Sequence, residues 1–292
     1  MIPLQRMYKF LKIRYFVWPA LVVLALAGVF TRGVGLNEEY RDILTVTAFI
    51  FGIMIAFAIS DRYNRFQRMR ELSSMDSGGL TVILEFSRVF GKKALMKITD
   101  ALDAYLIESF DYFIEDVVQY TSNSFYNILR TIENVKINKN DIIQATAIDN
   151  IMDEFANLTR LRKEYYGIAS DRLRSFMWFS LSLLAAIIIF FLFYGRSNTV
   201  LSDTSAVLLS FSMVLLMGLL YELDNLSWSQ EGWSWESYER VFDRIGRPRF
   251  YPEPAIKGRI IKPPSDKPYR LGVYKNKYPD NTKTVVLVKP KK

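Results

Sequence analysis

The stretch FIFGIMIAFAISDRYNRFQRMREL, Phe49–Leu72, passes from an apolar run straight into a basic one with no Gly or Pro at the seam. Such a run reads as one helix that leaves a membrane and continues into water. Four apolar blocks stand out in the 292 residues: Phe16–Phe30, Ile43–Ser60, Phe176–Tyr194 and Ala206–Tyr221. A hydrocarbon layer of about 30 Å needs about 20 residues at 1.5 Å each. The second and third blocks meet that length. The first and fourth are somewhat short, and tilt or snorkelling side chains complete them. The first block follows a basic amino end, as a secretory signal would, but Gly28-Val29-Phe30-Thr31 is a poor cleavage site and a second span follows closely, so it is kept as a span.

Lys and Arg near the span ends give the orientation. Arg6, Lys9, Lys12 and Arg14 precede the first span, and Arg62, Arg65, Arg68 and Arg70 follow the second. Arg172 and Arg174 precede the third, and Arg240, Arg244, Arg247 and Arg249 follow the fourth. The short connections hold only Arg32, Arg41 and Arg196, offset by acids. The expected organisation is therefore a cytoplasmic N-terminus over 1–15, two spans within 16–60, a cytoplasmic helical region over 61–174 and two more spans within 175–221. A cytoplasmic helical segment over 222–246 and a basic, Pro-rich tail over 247–292 complete the chain. No Pro occurs between Pro19 and Pro248, which suits a helical core ending near Gly246. In the irregular tail, YRLGVY and TVVLV are spaced to pair as a small hairpin.

In the middle region, Leu102, Leu106, Phe110, Phe113 and Val117 recur at helical spacing. Glu108, Asp111 and Glu115 share another face, which invites a metal reading but is better taken as solvated. Asp76-Ser77-Gly78-Gly79 is expected to end the helix begun in the second span. The chain has neither His nor Cys. It thereby lacks the commonest ligands of zinc, copper, haem and di-iron sites and the usual nucleophile and acid–base systems. No phosphate-cradling glycine motif is present. No catalytic residue, cofactor or metal is expected, and the basic tail suits anionic lipid better than nucleic acid.

Within the second span, Ala48, Gly52, Ala56 and Ser60 recur every four residues as a narrow face of small side chains. Thr45, Phe49, Ile53 and Phe57 form a neighbouring ridge. Either the small residues pack within one subunit while the aromatics meet lipid, or copies of the helix surround an axis with the ridge as a hydrophobic constriction.

TVTAFIFGIMIAFAISDRYNRF resembles the second transmembrane helix of bestrophin channels and bestrophin-like membrane proteins. The order of two spans, a long cytoplasmic helical region, two spans and a tail is similar as well. YELDNLSWSQEGWSWE, Tyr221–Glu236, stands where those proteins carry a D-N-P-F-type turn, placing Asp224 and Asn225 in that turn. The resemblance implies an all-α integral membrane protein with four transmembrane helices. It also implies a homopentamer with a central ion pathway in the cell membrane, necked by Thr45, Phe49 and Ile53 with Phe57 extending the ridge, and with Gly52 allowing close helix packing. The chain departs from the pattern in having Leu226 in place of Pro and only Glu231 acidic in the following run, against the dense acidic calcium clasp of animal bestrophins. Ions, with anions slightly favoured, lipids and further copies of the chain are the expected partners. The alternatives are a non-conducting membrane scaffold with a partner-binding cytoplasmic region and a membrane-embedded enzyme or transporter. The second would need an ionisable residue well inside a span, and none is found there.

Overall fold

The computed structural model describes residues 14–35, 38–112, 114, 116–136, 141–226, 233–258, 261–276 and 280–289. In chain order these form α1 (Arg14–Phe30), α2 (Glu38–Ser87), a 3-10 turn (Arg88–Phe90), α3 (Lys92–Ser109), α4 (Val117–Tyr120), α5 (Ser122–Glu133), α6 (Ile142–Ser170), α7 (Ser175–Tyr194), α8 (Val200–Asp224) and α9 (Trp233–Arg244). The strand β1 (Arg249–Pro252), the short α10 (Glu253–Lys257), β2 (Tyr269–Tyr274) and β3 (Lys283–Val288) follow. The fold is mainly helical, as expected. Helices α2, α7 and α8 are long and apolar enough to cross a membrane, and α1 is a shorter apolar helix of 17 residues. At 25 residues, α8 is longer than the apolar block alone suggested.

The chain divides into two compact units, the first built up to Phe66 and from Arg172 to the end of α8, the second from Gln67 to Asp171 and from α9 onward. In the first unit, α1 lies against α8, and the core is formed by Phe51, Ile55 and Ala58 of α2, Leu181, Ala185 and Ile188 of α7, and Leu220 of α8. Large apolar side chains such as Trp18, Val23, Phe179, Phe190 and Leu208 remain exposed. In water each would forfeit burial energy, so this surface fits a lipid solvent.

The second unit has an ordinary aqueous core. Leu72, Leu80, Ile83 and Leu84 of α2 pack with Ile98, Leu102 and Leu106 of α3, Phe125 and Ile128 of α5, Phe155 and Leu158 of α6, and Phe242 of α9. Asp141 caps α6 by accepting from the backbone N–H groups of Ile143 and Gln144.

Three expectations need correction here. Asp76–Gly79 does not break the helix, which runs 50 residues to Ser87. The two glycines cost about 1 kcal/mol each relative to Ala, but burial of Leu80, Ile83 and Leu84 beyond them repays it. Gly79 is required for packing, because a Cβ there would collide with Glu154 and lie 2.7 Å from Leu158 Cδ2. The helix through Leu102 and Leu106 stops at Ser109 rather than continuing to Val117. Phe110 turns inward instead, stacking on Trp235 with ring centroids 4.4 Å apart; Phe113 and Glu115 lie outside the described residues. Finally, Asp111 is not on a solvated face. Its carboxylate is fully enclosed, ion-paired with Lys283 and accepting the Tyr274 hydroxyl at 2.5 Å.

That contact belongs to the tail, which forms a three-stranded sheet in the order β1-β2-β3. The β2–β3 pairing is antiparallel, with Leu271 opposite Val286, and β1 adds in parallel, with Phe250 opposite Arg270. Arg270 grips Asp103 of α3 bidentately at 2.6 and 2.7 Å. Gly272 leaves room for the Phe250 ring, whose Cζ would lie 2.6 Å from a Cβ.

Candidate functional site

The face of α2 between Tyr40 and Phe66 carries the sequence-predicted residues. Phe51, Ile55 and Ala58 face the core, with Ile55 only 4% exposed. Ile55 is therefore a core residue, and a truncation there would report packing loss. The opposite arc holds both predicted stripes. Phe49 is 68%, Ile53 42% and Phe57 74% exposed. Thr45 is exposed with its hydroxyl donated to Arg41 O at 2.8 Å. Gly52, Ala56 and Ser60 are exposed, and Ala48 at the edge is half-buried against the core. A Cβ on Gly52 would meet nothing within 4 Å. Both stripes thus share one side of the helix and, apart from half-buried Ala48, neither is covered by the described residues.

Two arginine-centred locks hold the helices that carry this face. Around the end of α8, Asp224 is 5% exposed. Its Oδ1 accepts the Leu173 backbone N–H at 2.8 Å and lies 3.5 Å from the Arg62 guanidinium, while Oδ2 lies 3.4 Å from Trp178 Nε1. Its backbone carbonyl, one of the four left unpaired at any helix C-terminus, accepts from Arg65 at 2.9 Å and Arg172 at 2.8 Å. Arg172 also donates to Asn225 Oδ1 at 2.6 Å. Guanidinium charge at a helix C-terminus is further favoured by the helix dipole. Leu226 then takes a left-handed conformation, φ 52°, with its side chain buried. A non-glycine residue pays for that backbone shape, and burial of the Leu side chain offsets the cost.

The second lock is Arg196, in the turn between α7 and α8, whose side chain is almost wholly buried. It donates to Gly28 O at 2.7 Å and to Thr31 O at 2.6 Å, satisfying the last carbonyls of α1, and to Phe193 O at 3.1 Å. Asp203 balances its charge at 3.3 Å. Asn198 exchanges two hydrogen bonds with the Gly33 backbone, at 2.8 and 3.0 Å, and a Cβ on Gly33 would collide with the Arg196 carbonyl. Sequence reading counted Arg196 only as a loop charge. A lone Arg in a short turn between two apolar helices was the available signal.

Chemically, the described residues of the first unit offer positioned helices with exposed apolar surfaces, the arc of α2 among them. The Asp224 carboxylate is consumed by the lock, and Glu231 lies outside the described residues. Among the described residues no group of three or more acidic side chains is placed to hold a metal ion.

Residues 15–226 match the family described as Bestrophin-like domain. No curated protein matches the chain at a significant level. Among solved structures, two point variants of a bacterial bestrophin homologue from Klebsiella pneumoniae are similar. One has 13% identity and a TM-score of 0.60, with 81% of this chain and 99% of that chain covered. The other has 14% identity and a TM-score of 0.59, covering 78% and 98%. A structure described as a membrane protein variant is similar at 14% identity and a TM-score of 0.59, covering 81% and 99%. At such identity the likeness is one of fold.

Proposed function

The chain belongs to the bestrophin-like family, and from that premise we propose that it is an ion channel in which copies of α2 surround a central path. The observation that carries this reading is the uncovered arc of α2. Phe49, Ile53 and Phe57 remain exposed while the opposite side of the same helix is packed into a core. In a homopentamer the Thr45, Phe49 and Ile53 positions of five copies form the neck, Phe57 extends it, and Ala48, Gly52, Ala56 and Ser60 let neighbouring helices approach. A collar of Phe and Ile strips hydration without polar replacement, so it resists ions until it widens. Anions are slightly favoured over cations, because α2 beyond the collar carries Arg62, Arg65, Arg68 and Arg70 against Asp61 and Glu71, although Arg62 and Arg65 are held in the lock at Asp224. The protein resides in the cell membrane with both termini and the helical unit in the cytoplasm, following the Lys/Arg asymmetry.

Reconstituted liposomes test the path. Phe49→Ala, Ile53→Ala and the double change are expected to raise halide flux in that increasing order, while Phe179→Ala on exposed α7 leaves it unchanged. Intact oligomers whose flux ignores the α2 changes would overturn the neck and favour the scaffold alternative. Native mass spectrometry reads the copy number. Thiol labelling of Val200→Cys, 86% exposed, from outside the cell and of Ser74→Cys only after permeabilisation tests the orientation.

A further inference from the structure

The second unit has a partly open pocket of about 20 Å³ lined by Leu72, Asp76, Tyr105, Arg162, Tyr165 and Tyr238. A cavity of roughly 10–15 Å³ already accommodates one water molecule. Asp76, on the continuous helix α2, is 6% exposed. Its Oδ2 accepts the Tyr238 hydroxyl at 2.7 Å, whereas the buried Oδ1 has no hydrogen-bond partner among the described residues. The nearby guanidinium of Arg162 is committed elsewhere. It donates to Tyr105 Oη at 2.5 Å, Val118 O at 3.1 Å and Thr121 Oγ1 at 3.0 Å, and lies over the Phe125 ring at 4.4 Å. Arg162 therefore offers Asp76 its field but no hydrogen bond. A buried carboxylate in that position is half-satisfied, which is a costly state for a charge and a mild one for a neutral acid.

We propose that Asp76 is a proton-uptake site of the helical unit, at which the carboxylate takes a proton from hydronium reaching the cavity and leaves a neutral acid and a water molecule. The facing groups are Tyr105 from α3, Arg162 and Tyr165 from α6, and Tyr238 from α9; α4 contributes only Val117 and Val118. Burial pushes the Asp76 carboxyl above its ordinary range, and the Tyr238 hydrogen bond and the Arg162 field offset only part of that push. Tyr105 and Tyr238 are driven upward by burial as well, so both stay neutral near neutral pH and Tyr238 remains a donor to Asp76. Because the folded protein holds this proton more tightly than the unfolded chain does, the unit gains stability as pH falls through the raised Asp76 value and loses it as pH rises.

Infrared difference spectra of the full-length protein in detergent, acid minus neutral, are expected to contain a protonated-carboxyl band that disappears in Asp76→Asn and persists in Asp111→Asn, another enclosed acid. Tyr238→Phe removes one hydroxyl and is expected to move the midpoint of that band upward by about one to two pH units, the worth of a hydrogen bond to a charged group. A band unchanged in Asp76→Asn, or a midpoint unmoved in Tyr238→Phe, would overturn the proposal. If Asp76→Asn fails to fold, the Tyr238→Phe midpoint decides alone.

Discussion

The two halves of α2 bury their residues by different rules. From Gln67 to Ser87 the buried positions include Met69, Leu72, Ser73, Asp76, Ser77, Leu80, Ile83 and Leu84, a helical stripe, while Arg70, Glu71, Ser74 and Glu85 face outward. From Ile43 to Ile59 the helix is apolar on both sides apart from two threonines, and exposed Phe49 is as hydrophobic as buried Phe51. In water, polarity separates inside from outside. In lipid, side-chain size and partner geometry must do so, since neighbouring acyl chains are as apolar as a protein core.

The sharpest way to break this comparison is at the seam. Asp224→Ala should cost about 3–5 kcal/mol of stability, because it strands the part-buried Leu173 backbone N–H and takes from buried Arg62 one of its carboxylates, with exposed Asp61 remaining at 2.6 Å; a thermal melt in detergent unchanged from wild type would refute the lock. Next comes a matched pair of truncations. Ile83→Ala, at a fully buried position, should cost about 2–5 kcal/mol, whereas Ile53→Ala should leave the protomer near wild type and act on flux. Equal losses in denaturant titrations would erase the distinction between the halves. The matched glycines give a smaller contrast. Gly79→Leu must displace Leu158 and Glu154 and should cost at least about 1–3 kcal/mol. A Cβ at Gly52 meets nothing within 4 Å among the described residues, so Gly52→Leu should spare protomer melting while weakening the oligomer on native gels. The smallest effect is electrostatic. Arg249 beside Asp243 holds that carboxyl below its ordinary range. The stabilisation is therefore present above the ordinary range and lost as pH falls through the depressed value. The pair is partly exposed, so Asp243→Asn should remove under about 1 kcal/mol, read as a small loss of melting temperature at neutral pH that vanishes in acid.

Much of the helical layout was legible because α2 announces itself: Phe49–Leu72 holds no proline and changes composition without changing period. The ridge of Thr45, Phe49, Ile53 and Phe57 could be written down as a face for the same reason. Local signals misled where tertiary contacts outweighed them. Gly78 and Gly79 look like a stop until Glu154 and Leu158, some 75 residues later, require a missing side chain. The locks were illegible for a related reason. Nothing near Arg196 indicates that Gly28 and Thr31 are its acceptors, and nothing near Asp224 points to Arg62. Strand β1 is four residues ending in Pro252, too short for an alternation to show, and it exists by pairing with β2.

Arg196 also has a consequence in time. It completes the carbonyls at the end of α1 from 168 positions further along the chain. A ribosome adding about 5–20 residues per second delivers it on the order of ten seconds after Gly28. Throughout that interval α1, already made, lacks the guanidinium that closes its end in the finished fold, and its last carbonyls must find other partners.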